Sequence, residues 1–412
     1  MKKVELLAPA GDLEKLKIAV EYGADAVYFG GEMFSLRSGA GNMTVDEIRE
    51  GVDYAHERGV RCHMAMNVYA HNEDLLPLQN YLQQIRDIPI DAFIVSDPAV
   101  MACIREVIPE AELHLSTQAN MTNYMTAGFW HKQGIKRLVL ARELTLDEIR
   151  EIRLKCPEEL DLEGFVHGAM CISYSGRCLL SNFMTGRDAN RGECAHPCRY
   201  KYRLEEEKRP GEYWPVDEDN RGTYIFNSKD LCMLEHIPEL IDAGIMSFKI
   251  EGRMKSIFYI AHVISAYRRA IDAYYADPDN YEFNPKWFDE LCKASHREFT
   301  TGFYFRKPTN EDQNYLTSAY TRDYSFTGLV KDYDRDSGIA VVEQRNRMFI
   351  GDEIEIFGPG REHFTQKLEI MLDEDDNPID CAPHPQQILK IKMNQPVSAN
   401  FMLRKEKTEH DS

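Results

Sequence analysis

The sequence predicts a TIM-type (β/α)8 barrel followed by a small antiparallel β-barrel domain. Three observations lead there. Through the first 275 residues, short β-branched runs alternate with amphipathic helical stretches about eight times. A helix follows nearly every strand, which implies parallel pairing with right-handed crossovers. From about Phe326 the pattern changes to strict apolar–polar alternation with Gly, Pro, Asp and Asn at the turns. An open doubly wound sheet is the alternative for the first part; eight units favour closure.

The elements follow in order. Strands are expected over 4–7, 25–30, 61–68, 92–96, 112–116, 137–140, 160–166 and 246–250. Asp12 caps the first helix, which runs through Tyr22. Thr44 with Glu47, and Thr145 with Glu148, have the spacing of capping boxes. A helix starts near Asn72, Pro98 sits in the first turn of another, and a long one covers about 255–275. One interval breaks the rhythm: between Cys171 and Cys232 periodicity fades and half of the ten cysteines appear. After 326 the runs FTGLV, GIAVVEQ, DEIEIFG, QKLEIML and QILKIKM read as strands, and the tail after Arg404 is polar and expected to fray. The expected division is a barrel over 1–310, with a cysteine-rich insertion at about 171–232, and a β domain over 325–405.

Composition narrows the function. A net charge of −19 argues against diffuse nucleic-acid binding but allows a local basic face. No apolar run approaches the roughly 18 residues of a membrane span. The opening Met1-Lys2-Lys3-Val4-Glu5 turns acidic too soon for an export signal and reads as the first strand. The expected compartment is therefore the reducing cytoplasm, where ten cysteines are more than packing requires and some should hold a metal. No His-Glu-x-x-His, Gly-x-Ser-x-Gly or phosphate-binding Gly-x-x-x-x-Gly-Lys occurs.

Cys171 and Cys178 are separated by six residues, Cys194 and Cys198 by three. Gly168, Gly176, Gly186 and Gly192 free the backbone to wrap around one centre. Four thiolates suit tetrahedral zinc or an iron–sulfur cluster, and the absence of tight Cys-x-x-Cys knuckles tips the spacing slightly to the cluster. The segment begins where the seventh strand ends, on the face where barrel enzymes keep their active sites. The plainer reading is a metal staple for a long insertion. Cys62, Cys103 and, more weakly, Cys232 read as core; Cys156, Cys292 and Cys381 show no partner.

Residues just after the strands should line one cavity: Pro9 to Gly11, Gly30, Asn67, Asp97, Gln118, Arg142, His167 and the run Lys249 to Arg253. Arg142, Lys249 and Arg253, with Arg37 in the SLRSG loop, would favour an anionic small molecule, while Glu251 could pair with Arg253. From Arg187 to Arg203 five basic residues face two acidic ones, with Tyr200 and Tyr202 interleaved, a mixture that suits phosphates and bases.

The opening LLAPAG, the LSTQAN near residue 118, FKIEGRMKS around Lys249, and Glu163-x-Phe165-x-x-Gly168-Ala169-Met170-Cys171 with Gly176-x-Cys178-x-x-Ser181 together resemble the collagenase-like peptidases. That family was long classed as peptidases of unknown catalytic type, and the resemblance spans nearly the whole chain. NSKDL before Cys232 and the Cys194-x-x-x-Cys198 pair resemble its tRNA-hydroxylating branch. The resemblance implies prephenate-dependent, oxygen-independent formation of 5-hydroxyuridine at the anticodon wobble position. It implies a [4Fe–4S] cluster on Cys171, Cys178, Cys194 and Cys198, with Cys232 as the competing fourth ligand. Arg37, Gln118, Arg142, Lys249, Glu251 and Arg253 become the candidate catalytic residues, with prephenate in the cavity, the tRNA anticodon loop at the basic segment, and room for a related subunit. The competing functions are a collagenase-like protease and a zinc-stapled scaffold that binds RNA without chemistry.

Overall fold

The computed structural model describes residues 3–35, 42–170, 180–187, 194–195, 197, 203–205, 213–215, 229–306 and 323–407, with 203–205 and 213–215 as backbone alone. Eight parallel strands form the barrel: β1 (Glu5–Pro9), β2 (Ala26–Phe29), β3 (Arg61–Met66), β4 (Ala92–Val95), β5 (Leu113–Leu115), β6 (Arg137–Val139), β7 (Asp161–Ala169) and β8 (Ser247–Ile250). Each pairs in parallel with the next through β7. β8 then pairs in parallel with both β7 and β1, which closes the sheet and removes its edges.

Around it stand α1 (Leu13–Glu21), α2 (Val45–His56), α3 (Asn72–Ile85), α4 (Pro98–Val107), α5 (Tyr124–Lys132) and α6 (Leu146–Lys155). The short α7 (Leu180–Thr185) lies in the cysteine-rich insertion, and α8 (Ile237–Asp242), α9 (Ile257–Ala276) and α10 (Pro285–Cys292) complete the set in chain order. Local chemistry starts them as the sequence suggests. Asp12 accepts from Lys15 N at 2.9 Å, and Thr44–Glu47 and Thr145–Glu148 form full capping boxes. α9 buries most of its residues, from Ile257 to Ile271, because the barrel lies on one side and the second domain on the other.

β7 departs from the expected 160–166. It continues to Ala169 because a strand inside the insertion, Asp230–Cys232, pairs antiparallel with its upper end. That strand in turn pairs in parallel with Phe299–Thr300. A register shift at Lys249/Ile250 accompanies the extension, and Gly168 there takes a φ of 103°. A Cβ on Gly168 would fall 2.4 Å from the Glu251 carbonyl oxygen, so glycine is what lets β7 and β8 approach at the barrel rim.

The C-terminal unit is a seven-stranded antiparallel sheet centred on Tyr324–Asp334, which pairs with Ile339–Gln344 on one side and Met402–Glu406 on the other. QKLEIML is not one strand: Phe364–Lys367 and Met371–Leu372 are separate. The strand expected to fray after Arg404 instead continues through Glu406, because Arg404 is locked into the domain junction. Fully buried, Arg404 donates from Nη2 to Glu290 at 2.7 Å and to Glu355 at 2.6 Å, and its guanidinium lies 4.8 Å from the Phe357 ring. Burial raises the Glu290 carboxyl, but Arg404 and Lys293 outweigh it and hold the group at about 2.

Candidate active site

A barrel of this type is ordinarily filled by branched aliphatic side chains. This one is filled with charge. Glu5 on β1, His63 on β3, His114 on β5, Arg137 on β6, Glu163 on β7, and Ser247 and Lys249 on β8 are all buried. Glu163 is the hub. Its carboxylate accepts from Lys249 Nζ at 2.8 Å and from Arg137 Nη1 at 3.2 Å. The Ser247 hydroxyl bridges Glu163 and Glu5, at 3.2 and 2.9 Å. Arg137 also donates to Glu5, and to Asp161 at 3.3 Å, while Arg61 reaches Glu5 from the N-terminal rim. Burial alone raises the Glu163 carboxyl, yet Lys249 and Arg137 prevail and bring it down to about 2. Desolvation holds His63 well below its ordinary value, so it stays neutral among these cations.

Toward the C-terminal ends of the strands the cluster opens onto aromatic rings. Lys249 Nζ stands 4.4 Å from the centre of the Tyr28 ring and 5.6 Å from that of Phe165. The Arg142 guanidinium stacks on the same Phe165 ring at 4.0 Å. Tyr28 is fixed by its own hydroxyl, which donates to the Ile250 carbonyl at 2.9 Å. A single ring thus lies by two of the cations that the sequence placed at strand ends, Arg142 and Lys249.

After β5 the LSTQAN segment turns through a 3₁₀ helix, Thr117–Ala119, and leaves it at Asn120 with a φ of 51°. Thr117 Oγ1 donates to the Leu140 carbonyl at 3.1 Å, which ties this turn to the next strand end. Gln118 is 2% exposed, and its Nε2 has no acceptor among the described residues. A buried donor left unsatisfied costs about 1–3 kcal/mol. Gln118 is therefore an amide set to donate to a ligand oxygen or a water.

Arg253 has a different part. It is buried and donates from Nη1 to Ser35 Oγ at 2.8 Å and from Nη2 to Asn42 Oδ1 at 2.9 Å. Gly30 makes room for it: a Cβ there would lie 2.3 Å from Arg253 Nη2 and 2.1 Å from Ser35 Oγ. Arg253 thus anchors both flanks of the loop after β2. Arg37, in the middle of that loop, lies outside the described residues. The Glu251 backbone is held by its own N–H on the His167 carbonyl at 2.9 Å and by the Tyr259 hydroxyl on its carbonyl at 3.2 Å.

Of the proposed ligand cysteines, Cys171, Cys178 and Cys198 lie outside the described residues, as do Arg191, Arg199 and Lys201 of the basic segment; Arg203 is described in backbone alone. Cys194 is half-buried. Its neighbour Ala195 donates from N to Ser181 Oγ at 3.0 Å, which fastens that stretch to α7. β7 ends on the C-terminal face, with Met170 as the last described residue before Cys171. Cys232 is buried, its Sγ 4.0 Å from the Tyr267 hydroxyl, and burial pushes its thiol up to about 12. That is the environment of a core residue. Among the described residues no three His, Cys, Asp or Glu side chains gather as a metal site.

Gln118, Arg142 and Lys249 are candidates on the sequence alone, whereas Glu163, Phe165 and Tyr28 emerge as the partners of Lys249 and Arg142 only in the folded chain. The signal was present in the alternation of β7, where Glu163 and Phe165 share the inward face with a two-residue spacing.

Comparison with known proteins completes the picture. The model of peptidase family U32 matches residues 11–314, and that of the peptidase family U32 C-terminal domain matches 322–404. The chain is 46% identical over 406 residues to the "tRNA hydroxylation protein P1" of Bacillus subtilis, covering 98% of this chain and 96% of that one. It is 35% identical over 448 residues to the "tRNA hydroxylation protein P" of Escherichia coli, covering 98% and 96% respectively. A protein of Porphyromonas gingivalis named "Collagenase" is 32% identical over 376 residues, covering 89% of each chain.

Proposed function

The chain belongs to peptidase family U32, and from that premise we propose that it is a tRNA-modifying enzyme of the hydroxylating branch. Its reaction in this reading is prephenate-dependent conversion of the wobble uridine to 5-hydroxyuridine. The carrying observation is the cationic, aromatic barrel mouth: Lys249 and Arg142 share the Phe165 ring, and the turn after β5 carries the unsatisfied amide of Gln118. Two cations and a neutral donor suit a small dianion with an unsaturated ring, and prephenate is one. Among the described residues the site shows no nucleophile–base pair of the kind a peptidase needs.

Cys171, Cys178, Cys194 and Cys198 would hold a [4Fe–4S] cluster beside this mouth. Soft thiolates fit it, and the position of Met170 and the tie between Ala195 and Ser181 put the described flanks of the cysteine segment at the barrel face and on α7. A cluster bound there supplies one-electron chemistry. The chain's own residues bind and orient: Lys249 and Arg142 take carboxylates, Gln118 donates to a third oxygen, and the Phe165 ring walls off water. The basic segment from Arg187 to Arg203 receives the tRNA.

The test is calorimetric. A charge-assisted hydrogen bond contributes about 1.5–3 kcal/mol, so Arg142→Ala is expected to weaken prephenate binding about tenfold or more. Unchanged affinity would remove Arg142 from the site.

A further inference from the structure

Glu163 has no task in binding or chemistry as described so far, and Phe165 only shields the site from water, although both residues face the barrel interior. We infer that this pair is a cation-orienting device: the Glu163 carboxylate and the Phe165 ring fix the directions in which Lys249 and Arg142 present their charge to an anionic ligand. Glu163 and Phe165 are in this sense positioning residues. The inference rests on the anion-site reading given above.

The geometry supports it in three ways. Lys249 is 4% exposed, and among the described residues Glu163 is its one hydrogen-bond acceptor, at 2.8 Å. An ammonium group has three donors, so one is spent on orientation and the rest are left for a ligand or water. A long lysine side chain gives up rotamer freedom to sit in one place, and the bond to Glu163 opposes that loss. Glu163 itself cannot swing, because Arg137 and Ser247 hold it from the side away from the rings. Two residues further along the same face, Phe165 carries Arg142 at 4.0 Å, and its own carbonyl accepts from the Tyr304 hydroxyl at 2.7 Å. One strand therefore sets both cations, and the two-residue period of a strand is what couples them.

A purely structural role for Glu163 would be to neutralise Arg137. Glu5 does that too, without touching Lys249. This gives an internal control. In the full-length protein, Glu163→Gln is expected to speed acetylation of Lys249, followed by peptide mass analysis, at least about fivefold relative to wild type. It should also weaken prephenate binding about tenfold. Glu5→Gln, which keeps the Glu163 carboxylate on Lys249, should change Lys249 labelling far less than Glu163→Gln does, and Glu163→Gln in a Lys249→Met background should add no further loss of affinity. Phe165→Leu, which keeps bulk without the π face, should weaken binding while leaving Lys249 labelling slow. Equal labelling in Glu163→Gln and Glu5→Gln would overturn the proposal. Labelling needs no ligand, so a wild-type protein that fails to bind prephenate would count against the anion-site reading while the orienting role was still decided.

Discussion

Alanine at Cys171 or Cys178 is expected to strip the anaerobically purified protein of iron and sulfide, from about four of each per chain to background. The effect should be large, because each of these thiolates would hold one iron of the cluster and its loss would weaken the whole site. Cys232→Ala gives the contrast. Its side chain is buried against Tyr267, so the change should cost stability through a small cavity and leave iron content intact. Stoichiometric zinc without sulfide in the wild-type protein would instead identify a structural staple.

Neutralising Arg199, Lys201 and Arg203 together is expected to reduce tRNA modification severely while the iron content stays at its wild-type level. The chain carries a net charge of −19, so its general field repels a polyanion and binding must rely on a local basic face. Three fewer cations should also flatten the salt dependence of tRNA binding, since each neutralised phosphate releases counterions on association. Loss of iron in the triple variant would mean that the segment supports the cluster and does not dock RNA.

Much of the fold was legible in the sequence because its signals are local. Thr44 with Glu47, Thr145 with Glu148, Asp12 and Pro98 each start a helix by chemistry within one turn. The extension of β7 was not legible: its partner Asp230–Cys232 is three residues long, and only the folded chain brings it beside Gly168. The site divided in the same manner. Gln118, Arg142 and Lys249 follow or end strands, so a barrel argument puts them at the C-terminal face. Glu163 looked like one residue of a motif, since a carboxylate inside a barrel core is improbable until Arg137, Ser247 and Lys249 are seen around it. Arg253 reads from sequence as a ligand cation, and its buried bonds to Ser35 and Asn42, which only the folded chain shows, also give it a loop to hold.

Nucleoside analysis of bulk tRNA tests most directly whether this barrel modifies RNA. In a strain lacking this gene and any paralogue, 5-hydroxyuridine-derived nucleosides should disappear. They should return with the wild-type gene and stay absent with Cys171→Ala. Unchanged nucleosides in that strain, together with collagen cleavage that follows the pure protein through purification, would instead establish a protease.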